Sequence, residues 1–86
     1  MTNFKAGEPN SPRTLAEAGE ALWRIRPGEQ AQLLEWLAYY QRSAVVYAEI
    51  AEIDQSHHHE ALYMAGESRK RAEEIEARIT TTREHQ

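Results

Sequence analysis

The fold of this chain turns on residues 53–62, IDQSHHHEAL. Three consecutive histidines follow an aspartate in the middle of a region that otherwise reads as helix. From Glu29 to about Thr81 there is no proline, and Gly66 is the only glycine. That span is too long for one ordinary helix. Either the chain turns back within Asp54–His58, or it runs on as one helix of about 50 residues, roughly 75 Å long.

Both readings share one register. Leu33, Leu37, Tyr40, Ala44, Tyr47 and Ala51 follow one another in alternating steps of four and three, which is heptad spacing. Ala61, Ala65, Ser68, Ala72, Ile75 and Ile79 repeat the alternation. Folding the chain back at Ser56 puts Ala51 beside Ala61, Tyr47 beside Ala65, Ala44 beside Ser68 and Tyr40 beside Ala72. Leu37 then meets Ile75, and Leu33 meets Ile79. Each tyrosine faces an alanine, and large against small fills space without voids. The size matching supports antiparallel pairing in this register, and the hairpin, which makes that pairing within one chain, is the preferred reading. The rival is a continuous helix paired with a second copy, in which Asp54 and His58 make an i,i+4 pair. Against the hairpin, the turn has no Gly or Pro, and Glu49, Glu52 and Asp54 would lie at a helix C-terminus, where the helix dipole disfavours acids.

The second helix carries a further apolar stripe, Trp36, Tyr39, Val46, Ile50 and Ile53. A helix apolar on two faces needs two neighbours. The other neighbour is a short helix upstream. Thr14 is its expected N-cap and Glu17 the reciprocal capping-box partner. Leu15, Ala18, Leu22 and Ile25 share its apolar face, Glu20 and Arg24 can pair on the other, and Pro27–Gly28 ends it. The expected organisation is a tail over 1–13, one helical domain over 14–82 with helices near 14–26, 29–54 and 57–81, and a flexible end over 83–86. The fold class is all-α: an antiparallel hairpin with a shorter N-terminal helix packed on it. Along the third helix the sequence suggests ion pairs Glu67–Arg71, Arg69–Glu73, Lys70–Glu74 and Glu74–Arg78.

Composition narrows the function. With 86 residues the chain makes one small domain, marginal alone. It has no cysteine, which removes disulfides, thiolate metal sites and cysteine catalysis. A net charge of −4 and a single basic cluster, Arg69–Arg71, argue against nucleic acid as a partner. No apolar run approaches the ~18 residues of a membrane span, and residues 1–13 lack a signal-peptide core. The expected location is the cytoplasm. Abundant Arg, Ala and Glu suggest a bacterial or phage origin.

No catalytic set is visible. Ser43, Ser56 and Ser68 lack a base and orienter, and there is no phosphate loop or nucleophile elbow. Glu49 and Glu52 lack the Glu-x-x-His pattern of a di-metal bundle. Asp54, His57 and His58 are the candidate metal ligands, for Zn²⁺, Ni²⁺ or Cu²⁺. On a helix, however, adjacent side chains point about 100° apart, so three in a row cannot share one ion. A polar turn with water-facing histidines is the plainer reading. A pH response of the His57–His59 cluster beside Glu49, Glu52 and Asp54 lies between the two. No cofactor is expected.

The aromatic residues carry more. Trp36, Tyr40 and Tyr47 suit the core, while Trp23, Tyr39 and Tyr63 are candidates for an exposed contact surface. The resulting expectation is a non-enzymatic interaction module: an adaptor, inhibitor or regulatory subunit that binds another protein or itself, a homodimer included. A phage-encoded protein acting on a host target fits, as does an antitoxin. A metal- or pH-responsive helical protein and a small enzyme with its site at a dimer interface are the alternatives.

Overall fold

The computed structural model describes residues 11–84 and contains three α-helices: α1 (Leu15–Arg24), α2 (Leu33–Ile53) and α3 (His58–Glu84), with a 3₁₀ turn over Gln55–His57 before α3. α2 and α3 form the antiparallel hairpin, and α1 packs back on α2. The continuous helix is excluded. Asp54 leaves the helical region at φ −95° and ψ 81°. The longest dimension of the molecule is 47 Å, far short of a rod of two helices end to end. Residues 1–10 and 85–86, parts of the two expected terminal segments, lie outside the described residues.

The N-terminus of α1 forms by capping, with one change from the expected pattern. The Thr14 hydroxyl accepts the Glu17 N–H at 3.1 Å. The Glu17 carboxylate, however, reaches past Thr14 and accepts the Arg13 N–H at 2.9 Å. With Pro12 buried as well, the chain is fastened to α1 before the helix begins. At the other end Ile25 is the C-cap, and the Arg26 N–H bonds the Trp23 carbonyl at 3.3 Å.

α2 starts four residues later than the expected Glu29. A turn closed by the Ala31 N–H on the Gly28 carbonyl occupies those residues. Gln32 then caps the helix, with its N–H held by the Glu35 carboxylate at 3.1 Å. A Gln-x-x-Glu start of this kind satisfies a donor that the helix itself cannot. α3 continues to Glu84, past the expected end near 81, because no breaker interrupts it.

The core lies where α1 meets the hairpin. Ala18 and Leu22 from α1, Val46, Tyr47, Ile50 and Ala51 from α2, and Ala61 and Ala65 from α3 form one buried cluster. The positions 33, 37, 40, 44, 47 and 51, and 61, 65, 68, 72, 75 and 79, are all buried or half-buried. Small residues on α3 (Ala61, Ala65, Ser68 and Ala72) let α2 approach closely and leave room for Tyr47. Val46 and Ile50 of the second stripe are fully covered, whereas Ile53, beyond the start of α1, is exposed. The buried Ser43 hydroxyl donates to the Tyr39 carbonyl at 2.9 Å, and no buried side-chain N or O among the described residues lacks a partner.

Surface charge is looser than the sequence suggested. Arg24 and Glu20 pair at 2.8 Å, but both are well exposed, and such pairs contribute little. None of the four pairs expected along α3 closes among the described residues. Long side chains with water around them lose more freedom on pairing than the weak attraction returns.

Ile50→Ala is expected to cost about 2–5 kcal/mol in denaturant unfolding, since the side chain is fully buried between α1 and the hairpin. Gly19→Ala is expected to stabilise by roughly 0.5–1 kcal/mol. Gly19 lies inside α1, and an added Cβ would meet the Tyr47 hydroxyl at 3.8 Å, an ordinary contact.

Candidate functional site

The 53–62 stretch joins all three helices through side chains. Asp54 is the C-cap of α2. Its Oδ2 accepts the backbone N–H of Leu15, the first residue of α1, at 2.9 Å. The same oxygen lies 3.0 Å from His57 Nδ1, and the Ser56 hydroxyl donates to Oδ1 at 3.1 Å. The acid at the C-terminus of α2 is therefore also the acid at the N-terminus of α1, where the helix dipole favours it. For Asp54 this removes the electrostatic objection to a hairpin, while Glu49 and Glu52 remain near the C-terminus of α2. The Leu15 N–H, foremost, with Ser56 and His57, holds the Asp54 carboxyl below its ordinary value of 3.8, against partial desolvation.

The turn needs neither glycine nor proline because its own backbone and side chains satisfy the last carbonyls of α2. Asp54 N–H bonds the Ile50 carbonyl at 2.8 Å. His58 Nδ1 lies 2.6 Å from the Ala51 carbonyl oxygen, so that nitrogen carries the hydrogen. Gln55 Nε2 donates to the Glu52 carbonyl at 2.8 Å. The three histidines thus have three settings. His57 holds Asp54, His58 caps α2, and His59, exposed, stacks edge-on against His58 with ring centroids 5.3 Å apart.

The expected metal ligands do not converge. Asp54 and His57 meet, but His58 turns to the Ala51 carbonyl, and among the described residues no three His, Asp or Glu side chains gather as a metal site. The order of neighbours is the reason: a turn that caps α2 sends successive rings in different directions. Nor do Ser56, His57 and Asp54 make a nucleophile with its base. His57 Nδ1, the nitrogen 3.2 Å from the Ser56 hydroxyl, donates to the carboxylate and has no lone pair to offer.

Beside the turn, α1 and α3 leave an open groove of about 450 Å³ lined by Leu15, Tyr47, His59, Glu60, Tyr63 and Met64. Its walls are mostly apolar. Tyr63 stands at the rim, 66% exposed, with Met64 also exposed. Burial pushes the Tyr47 hydroxyl above its usual pKa, so it stays a neutral hydrogen-bonding group in the floor.

The three aromatics expected on one contact surface are not together. Trp23, 70% exposed, is near the far end of α1. There the Arg26 guanidinium lies 5.3 Å from the Trp23 ring and 4.8 Å from the Trp36 ring. Tyr39, expected to be exposed, leans on the core instead, and burial raises its pKa. Trp36, Tyr39 and Tyr40 pack mutually with centroids 5.3–5.9 Å apart. The Trp23–Arg26 spacing of i,i+3 was a visible signal for this end cluster. The groove residues Leu15, His59, Glu60 and Met64 carried no such signal, because the approach of α1 to α3 is a tertiary fact.

The histidines are expected to differ under alanine substitution. His58→Ala exposes an unsatisfied carbonyl and should cost roughly 1–2 kcal/mol. His57→Ala should cost less, and His59→Ala under about 0.5 kcal/mol. Asp54 sets an acid limb. Its folded pKa is below the unfolded one, so its contribution is complete above the unfolded value and is lost as pH falls through the folded value. Urea unfolding between neutral pH and pH ~3 should therefore show the wild type converging on Asp54→Asn, which is less stable at neutral pH.

No protein-family model, no curated protein and no solved structure matches this chain. Its functional reading is carried by geometry.

Proposed function

We propose that this chain is a non-enzymatic interaction module, an adaptor, inhibitor or regulatory subunit, that takes up an apolar segment of a partner protein in the groove between α1 and α3. The observation behind this is the open, mostly apolar groove of about 450 Å³ with Tyr63 exposed at its rim. Tyrosine joins a large apolar body to a polar tip and loses little conformational freedom on binding, which makes it a good anchor. Met64 beside it adapts to irregular partner surfaces. Glu60 and His59 give the groove a polar edge. Polar rim and apolar floor are the usual anatomy of a contact site.

Two further features support the reading. The Ser56–His57–Asp54 group is spent on the turn, so its geometry favours a structural part over a reactive one. No helix among the described residues is long and apolar enough to cross a membrane. A cytoplasmic partner suits both, and a phage product acting on a host protein is one such setting.

A photo-crosslinking side chain placed at Tyr63 is expected to capture a discrete protein in bacterial lysate, and the same group at Arg78 is not. Tyr63→Lys should lower capture of that protein by about tenfold or more while leaving the thermal midpoint within a few degrees. Equal capture from both positions, or a Tyr63→Lys variant that binds as well as wild type, would sink the groove as the docking site.

A further inference from the structure

α2 has a third face. α3 covers the seam and α1 covers Val46 and Ile50 of the second stripe, yet besides Ile53 at the end of α2 two large apolar side chains remain outside both. Leu34 is 60% exposed and Val45 59% exposed. They are not scattered. Leu34, Ala38, Gln41, Val45 and Ala48 follow one another in steps of four and three, so they form a straight heptad stripe about 16 Å long from Leu34 to Val45. The first four are exposed, and Ala48 is half-buried at the edge of the seam.

The stripe is self-complementary. An antiparallel copy related by a two-fold axis between residues 39 and 40 puts Leu34 against Val45 of the second copy, and Ala38 against Gln41. Each layer then repeats by symmetry. Two layers match apolar to apolar and two match small to long, without two long polar side chains facing each other. The flank adds a charge argument. Glu35 and Arg42 lie one heptad apart, next to the stripe on the side away from the seam. In the same register Arg42 of each copy faces Glu35 of the other. Flanking charges of this kind set partner orientation in helix pairs. A parallel pair gives neither charge an opposite.

We infer that the third face of α2 is a homodimer interface, in which two copies pair antiparallel through Leu34, Ala38, Gln41 and Val45. The occupant is a second copy of this chain because the face complements itself in both size and charge. The contact is short, so the dimer is weak, with a Kd on the order of 10 µM to 1 mM. It lies apart from the Tyr63 groove and does not depend on that groove having a partner.

Sedimentation equilibrium of the full chain from about 10 µM to about 1 mM tests this. The expected result is a monomer–dimer equilibrium that Leu34→Glu with Val45→Glu weakens at least ~10-fold. Arg42→Glu and Glu35→Arg should each dimerise more poorly alone, and mixing the two variants should restore dimer. In that mixture each copy's residue 35 meets the opposite charge at position 42 of the other. Glu35 also caps α2 through the Gln32 N–H, so circular dichroism melting is run on every variant. A chain that stays monomeric at ~1 mM overturns the inference. So does a dimer unaffected by the Leu34/Val45 substitutions, and so does a mixture that associates no better than either charge variant alone.

Discussion

One carboxylate ties the three helices together. Asp54 ends α2, accepts the first N–H of α1 at Leu15, and holds the Ser56 hydroxyl and the His57 ring at the entry to α3. Its link to Leu15 spans 39 residues of sequence. A charge-assisted bond to a helix N-terminus is stronger than a neutral one, and here it also fixes where α1 starts along the hairpin. With its N-terminus beside the turn, α1 must run antiparallel to α2, and its C-terminal end arrives where Arg26 can lie against Trp36. The capped turn at one end and the aromatic–guanidinium cluster at the other bracket the core of Leu22, Val46, Ile50 and Tyr47.

Small residues decide how tightly the hairpin closes. With Ala61, Ala65, Ser68 and Ala72 on α3, much of the seam is contributed by α2 alone. This gives close helix approach but little apolar volume. A chain of this size keeps a modest core, and stability is a narrow margin in such domains. The same economy leaves apolar side chains outside. Leu34, Val45, Leu62, Tyr63 and Met64 stay exposed within the monomer, as does most of Trp23 outside its contact with Arg26. They fall on different faces, which is why one surface serves the proposed partner groove and another the proposed self-association.

Much of the fold was legible in the sequence, for identifiable reasons. The alternation of four and three from Leu33 to Ala51 and from Ala61 to Ile79 follows from helix geometry, and the pairing of Tyr47 with Ala65 from volume. The Thr14 and Pro27–Gly28 boundaries follow from local sterics and hydrogen bonding. Less was legible at the site. That His58 caps the Ala51 carbonyl and His57 holds Asp54 depends on the path of one turn. Asp54 could not be assigned to Leu15 because nothing in a sequence pairs residues 39 apart. Tyr39 looked like a surface residue because its neighbour Tyr40 claimed the seam, yet the second stripe of α2 carries it against the core. The α3 ion pairs were read from spacing alone, and spacing does not include the entropy of long exposed side chains.

The sequence by itself determined the helices, their apolar faces and the large-to-small match across the hairpin. These are periodic properties that each segment carries along its own length. Tertiary structure decided the turn, the placement of α1 and the existence of the groove. Those depend on which groups meet across the fold: the Asp54 carboxylate finding the Leu15 backbone N–H, and Tyr63 and Met64 left exposed beside the turn. The chain held the possibility of running on as one helix until that meeting. What closed it was a carboxylate that could satisfy the start of one helix while ending another.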